Sequence, residues 1–120
     1  MTIRLAAITV DCDDALAVAR FWSAALDRPL AADPAPNEDI ALIGDLDAAQ
    51  DAPNWLFCKV PEPKTAKNRM HVDMVAIDRQ AEVARLVALG ATQVADKDEW
   101  GHAWTVLQDP EGNEFCVAAS

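Results

Sequence analysis

The chain has 120 residues, 52% of them hydrophobic and 25% charged, a balance that fits one domain, 1–120, with a real core rather than a disordered segment. Ten basic against twenty acidic residues give a formal net charge of -10, a field that repels nucleic acid and anionic lipid, so neither is an expected partner. No apolar run approaches the ~18–20 residues that span a bilayer, Met1 to Leu5 open no secretory leader pattern, and three spaced cysteines (Cys12, Cys58, Cys116) fit a reduced, cytoplasmic setting.

Ile3 to Val10 is rich enough in β-formers for a strand. Asp11-Cys12-Asp13-Asp14 then supplies an N-cap and negative charge for a helix from Ala15 to about Leu26, with Val18, Phe21, Trp22 and Ala25 on one stripe. Arg28-Pro29 stops it, and Pro34 and Pro36 reduce Leu30 to Pro36 to at most a short edge strand. Asp39 to Ile43 predicts a strand closed by Gly44. An acidic, alanine-rich loop runs to Pro53, and Trp55 to Val60 predicts another strand.

Pro61 to Asn68 is the linker candidate. It carries Lys64 and Lys67 and is flanked by Lys59 and Arg69, which form either an anion-recognising rim or a solvated group balancing an acidic protein. Asn68 to Asp78 predicts a central strand, on which alternation puts His71, Asp73 and Val75 on one face and Val72, Met74 and Ala76 on the other. The first face reads as a ligand site or as a histidine and an aspartate bonded to each other. Asp73 either fixes the His71 tautomer or bonds Arg69.

Asp78 caps a second predicted helix, Arg79 to Leu89, with Val83, Leu86 and Val87 as its buried stripe and Gly90 at its end. A short strand at Ala91 to Val94, an exposed turn at Asp96 to Glu99, and a strand at Ala103 to Leu107 follow. The turn Asp109-Pro110-Glu111-Gly112-Asn113 leads into a last strand, Glu114 to Ala118. His102, in a loop before a strand, is expected at a rim or surface. Trp22 and Trp55 belong to the core, Trp104 is a candidate for stacking on a ligand, and Trp100 for a lid.

The order strand, helix, strands occurs twice, in modules of about 1–62 and 68–120 joined by 61–68. Val18-Ala19-Arg20 echoes Val83-Ala84-Arg85, and Phe57-Cys58 echoes Phe115-Cys116. Matching Ile8 and Val10 to Val72 and Met74 sets Ala7 opposite His71 and Thr9 opposite Asp73. With a helix on one face of each half-sheet, the faces bearing Ala7, Cys58, His71 and Cys116 are left to curve around a shared cavity, a common place for ligands.

Phe21-Trp22, Val60 to Lys64, Lys67 to Asp73, Leu89-Gly90-Ala91, and above all the run Asp109-Pro110-Glu111-Gly112-Asn113-Glu114-Phe115-Cys116 resemble the vicinal-oxygen-chelate superfamily of glyoxalase I, bleomycin-resistance proteins and extradiol dioxygenases. The likeness is nearest to its glyoxalase-like domain branch. It implies an α+β fold of two βαβββ modules with pseudo-twofold symmetry, a curved mixed sheet around a cavity with helices outside, and a homodimer. The superfamily's enzymes hold a divalent metal at four positions, which fall here at Ala7, Cys58, His71 and Cys116. Only His71 is a standard ligand among them, so no tightly bound catalytic metal and no other cofactor is expected; a soft metal such as zinc would use Cys58, His71 and Cys116. A cysteine nucleophile would need His71 within reach of Cys58 or Cys116.

The resemblance thus implies a protein that binds a small organic molecule without the standard metal site, through Cys58, His71, Asp73, Trp104 and Cys116. One alternative is a metal-dependent lyase, isomerase or dioxygenase centred on His71. Another is an antibiotic-sequestering protein of the bleomycin-resistance kind, whose acidic field suits a cationic drug.

Overall fold

A computed structural model describes residues 5–45, 52–68, 71–99 and 101–119. The chain forms two compact units, Met1–Pro63 and Lys64–Ser120. The first contains β1 (Ala7–Cys12), α1 (Ala15–Leu26), β2 (Ile40–Ile43) and β3 (Asn54–Lys59). The second contains β4 (Asp73–Ala76), α2 (Arg79–Leu89), β5 (Thr92–Glu99), β6 (His102–Gln108) and β7 (Glu114–Ala119). The fold is α+β, two modules with one helix and one mixed sheet each.

Both sheets are wired alike. In the first the order is β1-β3-β2, with β1 parallel to β3 and β2 antiparallel to it. In the second the order is β4-β7-β6-β5, with β4 parallel to β7 and the other pairs antiparallel. The first module's fourth strand shrinks to one antiparallel bridge, Leu30 with Ile43, because the prolines that follow cannot sustain a ladder.

Each helix starts at an aspartate. Asp14 Oδ1 accepts from the Ala17 N–H and Asp78 Oδ1 from the Ala81 N–H, both at 3.1 Å, satisfying a donor that the first turn leaves orphaned. Asp27 ends α1 in the left-handed region at φ 52°, and Gly90 ends α2 at φ 122°.

What lies under each helix differs. Beneath α1 the Trp22 ring sits 5.1 Å from Phe21 and 5.2 Å from Trp55, and Trp55 stacks on Phe57 at 6.2 Å; all four are buried, as expected of Trp22 and Trp55. Beneath α2 the buried set is aliphatic apart from one ring: Val83 and Leu86 on the helix, with Leu107, Phe115 and Val117 on the sheet. A cleft of about 480 Å³ opens there, lined by Arg79, Val83, Val87, Gln93, Asp96 and Thr105. Arg79 Nη1 donates to Thr105 Oγ1 at 2.9 Å, and Thr105 Oγ1 donates to Asp96 Oδ1 at 2.7 Å, which ties the start of α2 to the sheet.

Several expectations need correction. The central strand is shorter, Asp73–Ala76, so Asn68 and His71 precede it; Arg69 and Met70 lie outside the described residues. Strand β5 runs on through Asp96 to Glu99, where a turn was expected, because those residues pair with β6 along an exposed edge that tolerates charge. His102 is consequently the first residue of β6, paired with Glu99 and exposed. Val87 borders the cleft and is 44% exposed rather than core.

The echo between Phe57-Cys58 and Phe115-Cys116 is also displaced. Asp14 and Asp78 each cap a helix five residues after Thr9 and Asp73, so these two strand positions correspond. Thr9 pairs with Leu56 and Asp73 pairs with Cys116. Leu56 in turn faces Leu42, as Cys116 faces Val106. Leu56 is therefore the counterpart of Cys116, and Cys58 that of Ala118. The matching of Ala7 to His71 and Thr9 to Asp73 agrees with this register.

Candidate functional site

Thr105 and Val117 pair across β6 and β7, and the bond from Arg79 marks theirs as the face under α2. Alternation turns Asp73, Glu114, Cys116, Trp104 and Val106 to the opposite, open face. There three of the expected site residues meet. His71 Nε2 lies 3.4 Å from Asp73 Oδ1 and 3.7 Å from Cys116 Sγ, and one ligand atom from each residue lies within 4.8 Å of the others. The imidazole is 39% exposed and the carboxylate 80%, so the cluster is open to a ligand.

Trp104 stands on the same face, half-buried, opposite Ala118 on the neighbouring strand. Cys58 lies on the open face of the first unit, between Asp11 and Ile40. Of the basic group, Lys67 pairs with Glu114 at 3.4 Å, while Arg69, together with Trp100, lies outside the described residues.

The surroundings of Cys116 push its thiol pKa up, through burial first and then the Asp73 and Glu114 carboxylates, against a smaller opposing effect of Lys67. The group is thus held as a thiol, an unfavourable state for a nucleophile. Asp73 and Cys116 also share one imidazole nitrogen, whereas a relay needs the acid on one ring nitrogen and the nucleophile on the other.

The sequence places Asn68 where the linker meets the central strand but gives it no role in the site. Its Oδ1 accepts the Glu114 N–H at 2.7 Å, and its Nδ2 lies 3.5 Å from His71 Nδ1. The only signal was a side-chain amide three positions before a histidine in a linker. Asn54 was missed too. It is buried in the first unit, where Nδ2 donates to Ala6 O at 2.9 Å and Oδ1 accepts the Asp45 N–H at 3.0 Å, closing the base of the Asp45–Asn54 segment.

A family model described as glyoxalase-like domain matches residues 7–118. The chain belongs to the glyoxalase-like domain family. Solved structures agree on the fold. A glyoxalase/bleomycin resistance protein/dioxygenase family enzyme from Burkholderia phytofirmans PsJN superposes with a TM-score of 0.74 at 15% identity, covering 98% of each chain. A glyoxalase-related enzyme from Fulvimarina pelagi gives 0.69 at 17% identity, over 98% of this chain and 88% of that one. A bleomycin-binding protein from Streptomyces verticillus, complexed with copper(II)-bleomycin, gives 0.63 at 15% identity, over 100% and 98%. No curated protein matches in sequence.

Members of the vicinal-oxygen-chelate superfamily often bind a divalent metal, which poses a test of fit for this glyoxalase-like domain. The two separations from His71, 3.4 and 3.7 Å, pass it, since a tetrahedral zinc with ordinary bond lengths has edges of about 3.3–3.6 Å. Donor direction fails it. A metal on Nε2 leaves the proton on Nδ1, and metal-bound histidines turn that N–H toward an acceptor. Here Nδ1 faces an amide nitrogen, which is itself a donor.

Proposed function

We propose that this glyoxalase-like domain binds a small organic molecule at the open face of its second unit, without a catalytic metal. The observation that supports this reading is the convergence of His71, Asp73 and Cys116 around one imidazole nitrogen, at 3.4 and 3.7 Å. The largely exposed Asp73 carboxylate, in a chain of net charge -10, favours a ligand with a cationic or hydrogen-bond-donating group. Trp104 supplies a flat apolar wall. Cys58 enters the reading as the open-face thiol of the first unit, and the modules are proposed to work as one domain in a cytoplasmic homodimer.

Sequestration of a cationic antibiotic is a special case, favoured by the likeness to the bleomycin-binding protein. A metal-dependent lyase, isomerase or dioxygenase centred on His71 is the competing reading.

Elemental analysis of protein purified without added metal or chelator separates the two. The expected metal content is far below one equivalent and the same in a His71→Ala variant. Near-stoichiometric metal that vanishes with His71 would overturn the proposal. For the antibiotic case, bleomycin should quench tryptophan fluorescence in the parent chain and less in Trp104→Phe; an unchanged signal in the parent removes that case.

A further inference from the structure

We infer that Asn68 is a positioning residue that holds neutral His71 in its Nε2–H tautomer, which sets the cluster up for hydrogen bonding and against a metal ion. The inference deepens the proposed metal-independent binding and rests on it for its significance, although the geometry stands by itself.

The chain of cause starts at the backbone. The Glu114 N–H needs an acceptor and finds Asn68 Oδ1 at 2.7 Å, which fixes which end of the amide is oxygen. The other end, Nδ2, has two hydrogens and no lone pair to offer, and it points to His71 Nδ1 at 3.5 Å. That contact is favourable only when Nδ1 carries the lone pair. The ring proton then resides on Nε2, where the Asp73 carboxylate waits at 3.4 Å. Both sides of the ring thus demand the same tautomer, the donor at Nδ1 and the acceptor at Nε2.

Two consequences follow for chemistry. His71 cannot take a proton from Cys116 through Nε2, because that nitrogen already holds one. Nor can Nε2 bind a metal without turning Nδ1–H against the Asn68 amide, whose oxygen is committed to Glu114. What remains is an Nε2–H donor set between the Asp73 carboxylate at 3.4 Å and the Cys116 sulfur at 3.7 Å, on a face open to an incoming ligand.

Long-range proton–nitrogen NMR of the full ¹⁵N-labelled chain reads the tautomer directly. The chain has 2 histidines, and His102→Gln assigns them. At alkaline pH His71 is expected to show its proton on Nε2 and a lone-pair signature on Nδ1. Asn68→Asp should replace the single pattern by a mixture of both tautomers, because a carboxylate there accepts both the Glu114 N–H and a proton on Nδ1 while Asp73 still accepts at Nε2. Asn68→Ala, which leaves Asp73 as the one remaining demand on the ring, should keep more of the Nε2–H form than Asn68→Asp. With Nε2 freed, Asn68→Asp should bind Co²⁺ at least tenfold more tightly than the parent, with a thiolate-to-cobalt absorption band that the parent lacks and that His71→Gln abolishes.

A parent chain with the proton on Nδ1 would overturn the inference, as would an Asn68→Asp variant that keeps the parent pattern. Should Asn68→Asp fold poorly, Asn68→Ala and Asp73→Asn decide between the two demands on the ring: an Nε2–H signature unchanged in Asn68→Ala but lost in Asp73→Asn would overturn the role of Asn68. The inference and the binding proposal fail separately: a tautomer that shifts on substitution of Asn68 upholds the clamp even if no ligand is found, whereas failure of small molecules to bind bears on the binding proposal alone.

Discussion

At equivalent places on their open faces, the first unit carries Ala7, Thr9 and Leu56 and the second carries His71, Asp73 and Cys116. The helix sides differ in the opposite sense. The first unit stacks Trp22, Trp55 and Phe57 beneath α1, while the corresponding positions of the second are Leu86, Phe115 and Val117, beside a cleft of about 480 Å³. One module has thus put its bulk into packing and the other has kept its chemistry. Duplicated folds allow this division because ladder and cap geometry hold the backbone in place, leaving side chains on either face free to diverge.

The largest effect that tests this contrast is core truncation. Trp22→Ala should cost ~3–5 kcal/mol in chemical denaturation, whereas Leu86→Ala, which removes a smaller side chain from a helix whose Val83 and Val87 already line a cleft, should sit near the lower end of the range at about 2 kcal/mol. Equal costs would break the comparison. A smaller and symmetrical effect is expected at the caps. Asp14→Ala and Asp78→Ala should each lose about 1 kcal/mol, since each removes the same bond from the same helix position. A large difference between them would mean that the two modules are not built on one frame.

The smallest effect in energy is the most specific to the second unit. Burial and the Asp73 and Glu114 carboxylates hold the Cys116 pKa above that of a free thiol, so Asp73→Asn should move the pH midpoint of Cys116 alkylation by iodoacetamide downward. Peptide mass spectrometry resolves this thiol from Cys12 and Cys58. The linkage sign is also fixed. A folded-state pKa above the unfolded one contributes stability below the ordinary thiol range, which is lost as pH rises through the raised value. Denaturation midpoints should therefore fall with alkaline pH less steeply in Cys116→Ala than in the parent.

Legibility in the sequence followed the range of the interactions concerned. Both helices and their aspartate caps were readable, because a cap and an apolar stripe are local. The meeting of His71 and Cys116, 45 residues apart, was readable only through the internal repeat and the resemblance, which put both on faces turned to one cavity. The extent of β5 was not readable: Asp96, Lys97, Asp98 and Glu99 look like a turn, and only pairing with β6 makes them a strand. The paired Phe-Cys dipeptides misled because two residues of likeness carry less positional information than a helix cap. Asn68 was invisible because its role depends on a backbone N–H at Glu114, 46 positions away.

The charged edge of β5 has one more consequence. A strand at the edge of a sheet is a template for any extended segment, and among the described residues β5 is such an edge and carries three exposed acids and a lysine from Asp96 to Glu99. Protection of such an edge depends on where charge sits rather than how much there is. A chain with the same total charge, but with those four side chains made neutral and acids added elsewhere, would lose its guard against growing fibrils.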